Sequence, residues 1–198
     1  MLKIRRSCFE TNSSSMHAII LLSNEQKKVE TYDGSWRCSY DREKGILTIH
    51  DNSFERGPFQ ILYAWPNKLA YAIADYYVTD AGQDEDEIKA YIKELIAAIN
   101  DKGIYLKEIE LPYEGYYCED TQCYEKELDY GWVDHQSMGT LADFLEENDI
   151  SVADFITDPH CAIVIDGDET QVFKSLAQLG LINTNNIKRI KGQTLTRP

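Results

Sequence analysis

FETNSSSMH, Phe9 to His17, gathers three serines, an asparagine, a threonine and a histidine within nine residues. Hydroxyls, a side-chain amide and loop N–H groups are the donors that hold a phosphate or another anion, and Arg5 and Arg6 stand close by in sequence. Asn12, Ser13 and Ser14 with Arg5 and Arg6 therefore form a candidate ligand set. Ser15 and His17 form a candidate nucleophile and general base. That pairing needs extended backbone, because residues two apart share a face only in a strand. The stretch holds no glycine, which excludes a Walker-type or dinucleotide loop. The competing reading is architectural: Asn and Ser side chains cap backbone groups in a polar turn.

A second chemistry-bearing stretch follows Pro112. Tyr113, Tyr116, Tyr117, Tyr124 and Tyr130, with Trp132, lie among Glu119, Asp120, Glu125, Glu127 and Asp129. Tyrosine and tryptophan give large contact area at small entropic cost, and the acids favour a basic partner. Tyr116, Tyr117, Glu119, Asp120, Tyr124 and Trp132 are the candidate interaction residues. Cys118 and Cys123 enclose four residues, and His135, His160 and Cys161 follow as further zinc-type ligands. A zinc knuckle places two residues between its cysteines, and no second tight pair occurs, so no metal site is assigned. The carboxylate clusters, including Asp158, Asp166 and Asp168 around CAIVID, lack the fixed order of a cation loop. No cofactor is identified.

These residues need elements to position them. Met1–Arg6 and His17–Ser23 read as strands before and after the serine loop. Arg37–Asp41 and Ile46–Asp51 read as a hairpin turning at Gly45. Asn67 is placed as the cap of a helix over Lys68–Val78. The acidic run Asp80–Glu87 opens a second helix, whose apolar positions run from Ile88 to Ile99 and which stops at Gly103. Leu106–Leu111 alternates like a strand. Thr140 and Ser151 cap short helices over Leu141–Glu147 and Val152–Ile156, and Cys161–Asp166 reads as a buried strand. Gln171–Leu179 reads as a helix and Ile187–Gly192 as a last strand. Strands and helices without a βαβ rhythm predict an α+β fold, a largely antiparallel sheet with several helices packed on it. One domain over 1–198 is expected, with an irregular acidic, tyrosine-rich insertion at 112–137.

The 198 residues suffice for a sizeable core, and 43% of them are hydrophobic. A net charge of −14 argues against non-specific nucleic-acid binding, which depends on neutralising phosphates. No apolar run is long enough for a membrane span, and the N-terminus lacks a secretory h-region, so a cytoplasmic protein without a membrane partner is expected. Five scattered cysteines then read as reduced thiols.

Phe9, Glu10, Thr11, Asn12, Ser13, Ser14, Ser15 and His17 resemble the N-terminal F-E-T-N-S-S-S-x-H signature of an uncharacterised family of phage and Gram-positive bacterial proteins. LYAWPNKLAYAIADYY, Leu62 to Tyr77, resembles that family's middle helix less specifically. The resemblance implies a shared site and a mobile-element origin, not a reaction. Two functions are carried forward. One is a phosphate or nucleotide ligand site at the serine loop. The other is a non-enzymatic interaction protein or inhibitor binding a basic host protein through the acidic tyrosine segment.

Overall fold

A computed structural model describes residues 16–21, 36–54, 60–79, 84–118, 122–133 and 140–166. The fold is α+β, with small, mostly antiparallel sheets and four helices among the described residues. At its centre is a three-stranded antiparallel sheet in the order β1 (Met16–Leu21), β10 (Cys161–Asp166), β5 (Gln60–Leu62). A second sheet runs β2 (Cys38–Asp41), β3 (Ile46–Ile49), β6 (Glu108–Glu110), with β2–β3 antiparallel and β3–β6 parallel. Two two-stranded pairs complete the strands among the described residues. They are β4 (Ser53–Phe54) parallel to β9 (Trp132–Val133), and β7 (Tyr113–Cys118) antiparallel to β8 (Cys123–Leu128).

The β2–β3 hairpin turns as its sequence dictates. Asp41 Oδ1 accepts from the N–H groups of Glu43 and Lys44, and Gly45 closes the turn at φ +69°. A Cβ at Gly45 would also sit 2.7 Å from the Tyr105 ring. Leu47 and Ile49 point into the core, while Thr48 between them faces outward.

Helix α1 (Trp65–Thr79) is longer than the sequence suggests. Pro66 lies in its first turn, where the missing N–H costs nothing, so Trp65-Pro66 starts the helix and Asn67 is not its cap. Every residue from Asn67 to Asp75 is buried, so this helix is surrounded rather than one-sided. Two of the buried residues carry charge. Lys68 and Asp75, seven residues apart, share a face of α1. Lys68 Nζ donates to the carbonyls of Asp158 (2.6 Å) and Cys161 (3.0 Å), where helix α4 (Val152–Thr157) hands over to β10. Asp75 Oδ2 accepts from the N–H of Leu141 (3.0 Å), at the start of helix α3 (Leu141–Asn148). A cation thus lies beyond the C-terminal end of one helix and an anion at the N-terminal end of another, as the helix dipole favours.

Helix α2 (Glu85–Asp101) starts at Asp84, whose carboxylate accepts from the Asp86 and Glu87 N–H groups. It packs Ile88, Leu95 and Ile99 inward, and Tyr91 stacks on Tyr76 of α1 with centroids 3.9 Å apart. The core runs from Leu47 and Phe54 through Leu69 and Ile73 to Phe144, Phe155 and Ile163. Each such side chain stabilises the fold by about 1.5–3 kcal/mol on full burial. Arg37 is buried beside it. Its guanidinium donates to Gln60 Oε1 and the Ser53 carbonyl, pairs with Asp51 at 3.1 Å and lies over the Trp36 and Phe54 rings.

Candidate functional site

Of the serine-loop set, Arg5, Arg6, Asn12, Ser13, Ser14 and Ser15 lie outside the described residues, as do the terminal strands and helix expected at 1–6 and beyond 166. His17 belongs to β1 and is in register with Ile165 of β10. Its strand is therefore inside the central sheet, with Met16 paired to Asp166 at the end that leads back to the loop.

The acidic tyrosine segment takes a definite form. Where the sequence reads as irregular, β7 and β8 make a two-stranded ribbon that pairs with no other strand among the described residues. Its root is fixed by backbone and buried side chains. Asp129 N–H donates to the Pro112 carbonyl, closing the ribbon's base. Asn52 Nδ2 donates to the Asp129 carbonyl, and Asp129 Oδ1 accepts from Gly131 N–H. Gly131, at φ +98°, passes so close to α1 that a Cβ would stand 2.7 Å from Ala74 Cβ. Tyr130 is buried against Tyr77, with centroids 5.1 Å apart. The Tyr130 hydroxyl is pushed above its ordinary range, by burial first and by Glu85 next.

Beyond that root the ribbon is wet. Tyr113 is 67% exposed and Tyr124 83%, and Trp132 on the adjoining β9 is 50% exposed. The register sets Glu114 opposite Glu127, Tyr116 opposite Glu125, Tyr117 opposite Tyr124 and Cys118 opposite Cys123. Directly opposite residues share a face, so the exposed Glu114 and Glu127 place like charges side by side at a cost of about 0.2–1 kcal/mol. Of the six expected interaction residues, Tyr116, Tyr117, Tyr124 and Trp132 fall on the ribbon and the strand beside it. Glu119 and Asp120 lie outside the described residues.

A groove of about 610 Å³ lies beside the ribbon root. One wall carries Thr48, His50, Glu108 and Glu110, and the other Leu111, Pro112, Tyr113 and Leu128. Thr48 is in register with Ser39 on one side and Glu110 on the other. Thr48 Oγ1 donates to Glu110 Oε2 (2.6 Å), and Ser39 Oγ is 2.9 Å from His50 Nε2. Sequence reading missed this group, although the alternation of Leu47, Thr48, Ile49 and His50 carries its signal: the polar members must share the wet face. A serine hydroxyl bonded to an imidazole has the makings of a nucleophile and base. Among the described residues, however, no carboxylate bonds the far ring nitrogen to orient it, and both groups are exposed.

Of the zinc-type ligands, His135 lies outside the described residues. Cys161 is buried in β10, where burial pushes its thiol up to about 11, and His160 Nδ1 is engaged with Asp158 Oδ1 at 2.8 Å. Burial also acts to raise the Asp158 carboxyl, but His160 and Lys68 outweigh it and the net shift is downward. Among the described residues no group of three or more His, Cys, Asp or Glu is placed to hold a metal ion, and no helix is long and apolar enough to cross a membrane. Compared with protein-family models, curated proteins and solved structures, the chain matches none.

Proposed function

We propose that the chain is a non-enzymatic docking protein whose acidic, tyrosine-bearing ribbon engages a basic partner protein. The observation that carries this reading is the exposed pairing of Glu114 with Glu127 on a ribbon that carries the exposed Tyr124 next to its tip. An isolated ribbon gains nothing in stability from like charges set opposite each other, and a cationic side chain laid between them removes the repulsion. Tyr113, Tyr124 and Trp132 supply exposed aromatic area beside those charges, and aromatics are the side chains that anchor interfaces. Glu108 and Glu110 extend the acidic surface into the groove at the ribbon root. The phosphate-site reading of Phe9–His17 rests on the sequence and the family resemblance.

The test compares two variants of equal charge on an array of arginine- and lysine-rich peptides. Glu114→Gln/Glu125→Gln/Glu127→Gln neutralises the ribbon, and Glu85→Gln/Glu87→Gln/Glu94→Gln removes the same charge from α2. The ribbon variant is expected to bind about tenfold or more weakly, with the α2 variant near wild type. Equal weakening by both would show attraction to bulk charge alone and would sink the proposal.

A further inference from the structure

The register of the ribbon points to a reversible oxidation site that does not depend on the docking role. We infer that Cys118 and Cys123 form a redox-responsive pair that closes into a disulfide across the ribbon tip. They are the last registered pair of β7 and β8, one directly opposite the other, and neither is disulfide-bonded in this structure. Opposed residues in an antiparallel ladder have Cα atoms roughly 4.5–5.5 Å apart. That lies within the roughly 4.4–6.8 Å a disulfide spans, so the register brings the two backbones within bonding reach. Cys123 is exposed and open to attack on a dissolved disulfide, whereas Cys118 is half-buried beside it.

The remaining described cysteines are poor competitors. Cys38 lies in β2 and Cys161 in β10, and burial pushes their thiols up to about 12 and about 11, which keeps them in the unreactive protonated form. Between the paired cysteines the chain turns through Gln122 at φ +52°, a left-handed conformation unusual for a residue with a side chain. A bond across the strands just before that turn ties the tip at its base. Disulfides in exposed ribbon ends are labile and equilibrate with small thiols.

The chemistry balances with a small-molecule disulfide such as oxidised glutathione. The Cys123 thiolate attacks one sulfur of that disulfide, its S–S bond breaks and one glutathione thiolate leaves. The Cys118 thiolate then attacks the Cys123 sulfur, forming the protein disulfide and releasing the second glutathione. The two protons lost by the cysteines end on the two glutathione thiols. The protein is oxidised by two electrons and the glutathione disulfide is reduced by two.

Equilibration of the full chain in glutathione buffers of graded ratio, followed by alkylation and trypsin digestion, reads the state directly. Glu108 to Lys126 forms one tryptic peptide, because Lys107 and Lys126 flank it with no basic residue between, and its only cysteines are Cys118 and Cys123. In oxidising buffer this peptide is expected to lose both alkyl groups and weigh two hydrogen atoms less. Folded chain is expected to close at a ratio about tenfold lower, or more, than chain unfolded in urea, because the ribbon holds the partners together. In Cys118→Ser, Cys123 is expected to carry one glutathione instead. A wild-type peptide that stays doubly alkylated, carries two glutathiones, or closes no more readily folded than unfolded would overturn the inference.

Discussion

Lys68 shows what a single charge can do when a helix buries it. Its ammonium is enclosed between α1, α4 and β10, with the Phe155 ring 5.7 Å away and two carbonyls as acceptors. Burial draws its pKa down to about 8, with Cys161 and Asp158 pulling weakly the other way. Between about pH 8 and the ordinary lysine value the unfolded chain keeps a proton that the folded chain has released, so stability attributable to Lys68 rises with pH through that window. The rise amounts to about 3 kcal/mol at most, and below pH 8 it is absent. Lys68→Met strands two carbonyls and is expected to lower the urea-unfolding free energy by about 1–3 kcal/mol at pH 7. The gap from wild type should widen toward pH 10. A gap that narrows would mean the amine is not held in this environment. Sequence gave no warning of this residue, since a lysine two places after a proline reads as a solvated first turn. Thr48, His50 and Glu110 were hidden for another reason, because parallel pairing of β3 with β6 joins residues sixty positions apart.

Elements with local signals were the legible ones. Thr140 caps α3 as expected, and the structure adds a capping box with Asp143; Ser151 caps α4 through the Asp154 N–H, and Asp84 caps α2 within the acidic run. The ribbon was not legible because it has no apolar face to produce an alternation. Tyrosine occurs at both odd and even positions of β7, at Tyr113, Tyr116 and Tyr117, and hydrogen bonds at Asp129 help to organise its base. One cap is poorly matched to its backbone. Helix α3 ends at Asp149 with φ +53°, where a side chain is strained and a carboxylate faces the negative end of the helix dipole. Asp149→Gly is expected to stabilise the protein by about 0.5–1 kcal/mol in chemical denaturation. Unchanged or lower stability would show that the Asp149 side chain supplies a contact worth more than the strain.

At the scale of the whole molecule the net charge of −14 acts on folding as well as on partners. Among the described residues its exposed ion pairs include Lys89 with Glu85, Lys44 with Asp41 and Lys102 with Asp154, and solvent-screened pairs of this kind add little to stability. Long-range repulsion among the acids outweighs them at low ionic strength. Raising sodium chloride from about 0.01 to about 0.3 M shortens the screening length several-fold. The melting temperature is expected to rise by about 2–4 °C, equivalent to about 1 kcal/mol. A fall on adding salt, read by calorimetry, would mean that the ion pairs dominate. The central sheet carries a consequence of another kind. Its middle strand β10 is made after β1, β5 and the four helices among the described residues, yet both β1 and β5 are hydrogen-bonded to it within that sheet. On the ribosome the first and third members of the sheet must wait, unpaired, until Cys161–Asp166 emerges. Assembly of this sheet is therefore a late event, and a nascent chain halted before β10 holds two of its strands without the one that joins them.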